Sequence, residues 1–219
     1  PLCYGPDTLS NDLLSLRIDP RTGAIVSLKL TDGPELIGEN GISFAVMNDP
    51  SDTWGHDVDQ YRDEIGRFYA NGDVRLVEEG PARATVEITG TYGKSSIVQR
   101  VSVYPGIARV DVECEIDFQE PHRMLKHCVP TMATDGVPTY EIPYSYIERA
   151  PNGDEDPGQK WIDMTGDVGG GVVGGVSVIN DGRYGFDAKD GEFRTSVLRT
   201  AIYAFHCRRQ VLGKEQYHY

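Results

Sequence analysis

"ARVDVECEIDF", residues 108–118, decides the fold. In an extended chain Ala108, Val110, Val112, Cys114, Ile116 and Phe118 share one face, and Arg109, Asp111, Glu113, Glu115 and Asp117 share the other. Strict alternation with period two marks a strand with one face in a core and one in water. "RATVEIT" (83–89) repeats it with Ala84, Val86 and Ile88 inward. "AIVSLKL" (24–30) predicts Ala24, Val26, Leu28 and Leu30 inward. "SSIVQRVSVY" (95–104) is less clean, because Gln99 shares the face of Ile97, Val101 and Val103.

Turn chemistry separates these runs: "DPRTG" (19–23), "TDGPE" (31–35), "ANGD" (70–73), "EEGPA" (78–82), "YPG" (104–106), "NDG" (180–182) and "KDG" (189–191). Glycine supplies positive φ, proline fixes φ, and Asn and Asp tolerate the left-handed region. "INDGRYGFDAKDGEF" (179–193) reads as strand, turn, strand, turn, strand. No amphipathic helix longer than two turns is visible. The fold class expected is all-β, a large antiparallel β-sandwich over residues 1–219. The acidic, Pro/Gly-rich "APNGDEDPGQ" (150–159) is the clearest loop and a place to divide two subdomains.

The chain has 219 residues and a formal net charge of −13. Such a length buries a real core. The acidic balance disfavours nucleic acid and anionic membrane as partners. Cys3, Cys114, Cys128 and Cys207 show no C-x-x-C spacing and are too sparse for a disulfide scaffold, so they read as free, buried thiols. No glycosylation sequon, signal peptide or long apolar run appears, which leans towards a cytoplasmic protein. The chain starts without Met and stops at "KEQYHY", as a piece of something longer would.

"GGGVVGG" (169–175) holds a literal G-x-G-x-x-G, but a strand follows it rather than a helix, so it reads as a glycine-rich bend. His122 and His127 fall on opposite faces of a strand, which does not suit tetrahedral zinc. "SDTWGHDVDQY" (51–61) gathers Trp54, His56, Asp57, Asp59 and Tyr61. A strand there would set Asp57 and Asp59 roughly 6–7 Å apart on one face. That is within reach of the separation of about 6.5–9.5 Å that an inverting glycosidase uses. His56 lacks nearby partners in sequence for a metal site. Further on, Arg183, Tyr184, Arg194 and Arg199 offer hydrogen bonds and stacking to a sugar, or simply decorate hairpins.

In order along the chain, "LRIDPRTGAIVSL", "DTWGHDVDQY", "GPARATVEI", "SSIVQRVSVY", "IDFQEPHRMLKHCVP", "YEIPYSYIER", "GQKWIDM" and "GGVSVINDGRYGFDAKDGEFRTSVLRTAIYAFH" resemble the C-terminal β-domain of glycoside hydrolase family 38, the α-mannosidases. Together they cover most of residues 13–206. The resemblance implies an antiparallel supersandwich akin to galactose mutarotase, packed on a catalytic domain and helping to wall its sugar cleft. It places the zinc ligands and the nucleophilic aspartate in an N-terminal α/β domain with no counterpart here. His56 departs from the family, where many relatives carry tryptophan.

The expectation is a supporting domain of a zinc-dependent retaining α-mannosidase, inactive alone, with no cofactor or catalytic residue in this chain. Its expected partners are an α-mannoside and the N-terminal catalytic domain of the same polypeptide, and a homo-oligomer is compatible with them. Trp54, His56, Asp57, Asp59, Tyr61, Arg183, Tyr184 and Arg199 are the expected sugar-facing residues. The alternatives are a free-standing carbohydrate-binding module, and a mutarotase or epimerase pairing His122 or His127 with Glu141.

Overall fold

The structure, a computed structural model, describes residues 1–204 and 213–218. Cys207 lies outside the described residues. β1 (Cys3–Tyr4), β2 (Thr8–Ser10), β3 (Leu14–Ile18) and β4 (Ile25–Leu30) form the first sheet. β5 (Ser43–Asn48) and β6 (Glu64–Arg67) pair across the long connection 49–63. β7 (Val74–Glu79), β8 (Ala84–Tyr92), β9 (Ser95–Val103) and β10 (Val110–Phe118) run as a meander. β11 (Arg123–Pro130) returns beside β5. β12 (Val137–Ile142) and β13 (Ser145–Glu148) make a hairpin, and β14 (Asp156–Pro157) is a short edge strand. β15 (Trp161–Asp167) and β16 (Val173–Ile179) extend the β12–β13 sheet. β17 (Gly185–Lys189) and β18 (Glu192–Arg199) form a hairpin beside β11, and β19 (Gly213–His218) pairs with β10.

The chain is all-β, as the alternation required, but the expected large sandwich is corrected. The described strands divide into four sheets of four, five, six and four strands, a propeller-like set of small blades rather than two broad layers. Period two reports that each strand has a buried face. It does not report which strands share a sheet, and that was the missing information. All four sheets feed one core, through Leu16 and Ile18, Val86 and Ile116, Phe44 and Phe186, and Tyr140 and Ile162.

Val112, Cys114, Ile116 and Phe118 are buried as their alternation demanded, while Ala108 lies before the strand and is exposed. The face assigned to 24–30 fails at Val26. The β3–β4 register runs Arg17↔Ser27 and then Ile18↔Ile25, so Val26 is the extra residue of a β-bulge. The bulge turns Ile25, not Val26, towards the core beside Leu28, and leaves Leu30 half exposed.

The six-stranded sheet, ordered β14-β17-β18-β11-β5-β6, positions the functional candidates. Its centre is buried on both faces, which is why "SFAVMN" and "RMLKHCVP" do not alternate. One face joins the main core through Phe44, Val46, Leu125 and Val129. The other holds a smaller cluster of Ala45, Met47, Tyr61, Met124 and Cys128. The loop 150–159 does not separate two subdomains. It supplies β14 to this sheet and hydrogen-bonds Glu155 N–H to Asp59 O at 2.8 Å.

Cys114 and Cys128 are buried thiols, and burial pushes Cys128 up to about 12; the Cys3 thiol is exposed, against expectation. Among the described residues no helix is long and apolar enough to cross a membrane. Tyr144, in the β12–β13 turn after Pro143, holds φ of 64° with its side chain fully in solvent.

Candidate functional site

The loop 49–61 is not a strand, so the spacing argument for Asp57 and Asp59 falls: both carboxylates sit exposed in turns, Asp57 with φ of 57°. The loop is built on two buried carboxylates that sequence reasoning left out of the site. Asp52, wholly buried, accepts the Trp54 N–H at 3.0 Å and faces His56 Nδ1 at 2.9 Å. A short Asp side chain bonding its own backbone two residues on is a standard turn device. His56 keeps half of its side chain in solvent.

Asp49 is the second. Its two oxygens accept Arg199 Nη2 and Nε at 2.8 and 2.9 Å, and Arg199 Nη2 also donates to Asp52 O at 2.9 Å. The Arg199 guanidinium lies 4.8 Å from the centroid of the Tyr61 ring. Tyr61 is buried, and burial raises its phenol pKa against the opposing pull of Arg199. Tyr61 and Arg199 are therefore the floor that holds the loop. Above them Trp54, 65 % exposed, meets the Tyr203 ring edge-on at 6.0 Å. Thr53 ties the two segments, its N–H bonding Ile202 O and its hydroxyl Tyr203 O.

Arg183 and Tyr184 occupy the turn between β16 and β17, where Asn180 Oδ1 accepts the Gly182 and Arg183 N–H groups. Register brings this turn to the same end of the sheet as Arg199. Phe186 pairs with Thr195, and a Cβ on Gly185 would stand 3.2 Å from that of Ser196, so Tyr184 enters beside the last residues of β18. Arg194 points elsewhere, into the sheet's covered face.

Also missed by sequence reasoning was a chain of charges across that covered face. Glu155 pairs with Lys126, Lys126 with Asp187, and Asp187 with Arg62. Arg62 reaches Glu192 at 3.5 Å, Glu192 takes Arg194 at 2.5 Å, Arg194 lies 3.9 Å from Glu64, and Glu64 holds Arg67 at 2.7 Å. Lys126 and Asp187 are fully buried, so each depends on its partners to offset desolvation. The signal was present: Lys126 and Asp187 are charges in the interior of the strands "RMLKHCVP" and "GFDAK". Through Arg62 and Glu155 this chain also anchors the far end of the Trp54 loop.

The mutarotase pairs, offered as an alternative, do not form. His127 is buried against Phe44 at 5.1 Å between ring centroids, and burial lowers its pKa to about 3. Glu141, in a different sheet, accepts the Lys160 N–H. His122 is taken up in a turn with φ of 55°, its N–H on Thr200 O. The glycine run 169–171 is a turn between β15 and β16, with Gly169 and Gly171 N–H groups on the Asp167 carboxylate. Among the described residues no group of three or more His, Cys, Asp or Glu side chains is arranged to hold a metal ion.

Comparison with solved structures gives the fold. A glycosyl hydrolase family 38 protein from Enterococcus faecalis superposes with a TM-score of 0.78 at 13% identity, over 100% of this chain and 30% of that one. An α-mannosidase from Enterococcus faecalis gives 0.78 at 12% identity over 100% and 29%. Among curated proteins, alpha-mannosidase G of Dictyostelium discoideum is 27% identical over 142 residues, 59% of this chain and 13% of that protein. Alpha-mannosidase 2C1 of Mus musculus is 26% identical over 210 residues, 89% of this chain and 20% of that protein. The chain thus spans a fifth or less of these curated relatives. The model of the glycosyl hydrolases family 38 C-terminal domain matches residues 9–205, and the chain belongs to that family.

Proposed function

We propose that residues 1–219 act as the supporting domain of a larger α-mannosidase, closing one wall of its sugar cleft. The parent polypeptide cleaves terminal α-mannosides with retention, using paired carboxylic acids and zinc in an N-terminal catalytic domain. This chain contributes Trp54, His56, Asp57, Asp59, Arg183 and Tyr184 to the cleft's rim, with Tyr61 and Arg199 holding that rim from beneath. The observation that supports the reading is the placement of Trp54 and Tyr184. The Trp54 loop is clamped onto Arg199, and the β17–β18 register delivers Tyr184 to the same sheet end. On this reading the polypeptide works in the cytoplasm.

The chain alone is inactive on this reading. An aryl α-mannoside assayed with the purified chain, with and without added zinc, is expected to show no turnover. Turnover that follows the chain through purification overturns the reading.

One observation favours a second reading, a free-standing carbohydrate module: the exposed, edge-on pair of Trp54 and Tyr203. Aromatic faces of this kind stack on sugar rings. Calorimetry with mannobiose separates the two readings. Millimolar or tighter binding that Trp54→Ala abolishes selects the module, and no binding at the rim selects the supporting domain.

A further inference from the structure

The two ends of the six-stranded sheet are different surfaces. β18 is eight residues long, so its ends lie roughly 20–25 Å apart at strand rise. Arg199 and the Trp54 loop stand at one end. At the other, the β17–β18 turn, the end of β11 and the segment before β5 line an open cleft of about 340 Å³. That volume lies in the range of small-molecule sites. Arg62, Arg67, Arg194 and Glu192 form its back wall, and Glu39, Asn40, Lys189 and Asp190 its rim.

The chemistry of this lining selects among ligands. An apolar ligand would meet no aromatic ring among the described residues and little beyond Pro130. An anion would meet no net positive charge. The three guanidiniums are balanced by Glu64, Asp187 and Glu192, the rim adds two acids to one lysine, and the whole chain carries −13. A cation would face three guanidiniums at the back. A neutral polyol fits each of these features. Every hydroxyl both donates and accepts, and the wall presents guanidinium donors beside carboxylate acceptors.

The wall is also held in place before any ligand arrives. Glu64 grips Arg67 at 2.7 and 2.8 Å, and Arg67 Nη1 donates to Ser43 Oγ at 2.8 Å. Arg194 Nε donates to Glu192 at 2.5 Å. The surrounding backbone is tied by Thr131 N–H to Gly191 O at 2.9 Å and Gly38 N–H to Pro130 O at 3.0 Å. Side chains already fixed lose little freedom on binding, which is what makes a polar cleft competent for hydroxyls that otherwise prefer water.

We propose that this cleft is a second saccharide-binding site, taking the hydroxyls of a neutral sugar residue on Arg62, Arg67, Arg194 and Glu192, apart from the Trp54 rim. It stands whether or not the rim faces a catalytic cleft, because the two sites report on different amides.

The test is a titration of the isotope-labelled chain with mannobiose, read by amide chemical shifts. Saturable shifts are expected at Asn40, Gly191 and Glu192, with a millimolar dissociation constant. Arg67→Met should weaken that binding roughly five-fold, the worth of a lost hydrogen bond or two. Arg67 also braces β6, so a rim variant accompanies it. Asn40 has φ of 71°, and Asn40→Gly keeps that backbone while removing the amide side chain; it too should weaken the cleft shifts. Shifts confined to residues 51–61 would overturn the cleft while leaving the rim intact. So would cleft shifts indifferent to both variants. Inorganic phosphate moving the same amides at lower concentration would overturn the assignment to neutral sugars.

Discussion

Arg199 and Asp49, 150 residues apart, meet as a two-pronged pair at 2.8 and 2.9 Å, and the Asp49 carboxylate is completely buried. The pair joins the end of β18 to the start of the Trp54 loop. Asp49→Ala would leave a partly buried guanidinium uncompensated, at a cost of about 3 kcal/mol. Arg199→Lys keeps the charge but loses the planar fork. Urea denaturation should show both as destabilised, with the lysine variant the milder. Equal effects would mean that the charge without the fork holds nothing, and a lysine variant as stable as the wild type would mean that charge alone, not geometry, holds the loop.

Lys126 gives a sharper contrast. Lys126→Met leaves the buried Asp187 carboxylate with Arg62 alone and facing Glu155, and is expected to cost about 3 kcal/mol. Adding Asp187→Leu removes the stranded charge and should recover much of the loss. A double variant no more stable than the single one would show that the pair contributes beyond mutual compensation.

His127 sets a pH dependence. Its folded pKa is lowered to about 3 by burial, while the unfolded value lies near the usual 6.5. Below 6.5 the unfolded chain therefore binds a proton that the folded chain does not. Stability present above 6.5 is lost as pH falls towards 3, by up to about 1.4 kcal/mol per pH unit. The denaturation midpoint of the wild type should fall relative to that of His127→Leu as pH falls through this window. Parallel curves would remove His127 as the cause.

Tyr144 holds a left-handed backbone with its side chain 108 % exposed, so strain there is unrelieved by packing. Position three of a turn that follows proline with positive φ is a glycine position. Tyr144→Gly should stabilise the chain by up to about 1 kcal/mol, seen as a higher melting temperature. A lower one would mean that the ring makes a favourable contact in solution.

Much of this was legible in the sequence. Alternation located β8, β9 and β10 and their inward residues, because one-sided burial writes period two directly. Turn residues found the β17–β18 hairpin, where Asp190 and Gly191 take positive φ. Sheet membership was not legible, since alternation is silent on partners. Nor was the Val26 bulge, which is a property of a pair of strands. In the candidate site the aromatics and Arg199 were visible as residue types. Asp49 and Asp52, which hold them, looked like ordinary loop acids, and their burial comes from strands more than a hundred residues away.

The run from Glu155 to Arg67 alternates in sign at every step, four acids and four bases. Loss of one interior member leaves two like charges facing each other across the gap, whereas loss of two neighbours leaves the remainder neutral. Viable sequence change must therefore pass through this array in adjacent pairs. Among homologues its eight positions should vary as coupled columns, and the order of coupling should trace the array from one end to the other.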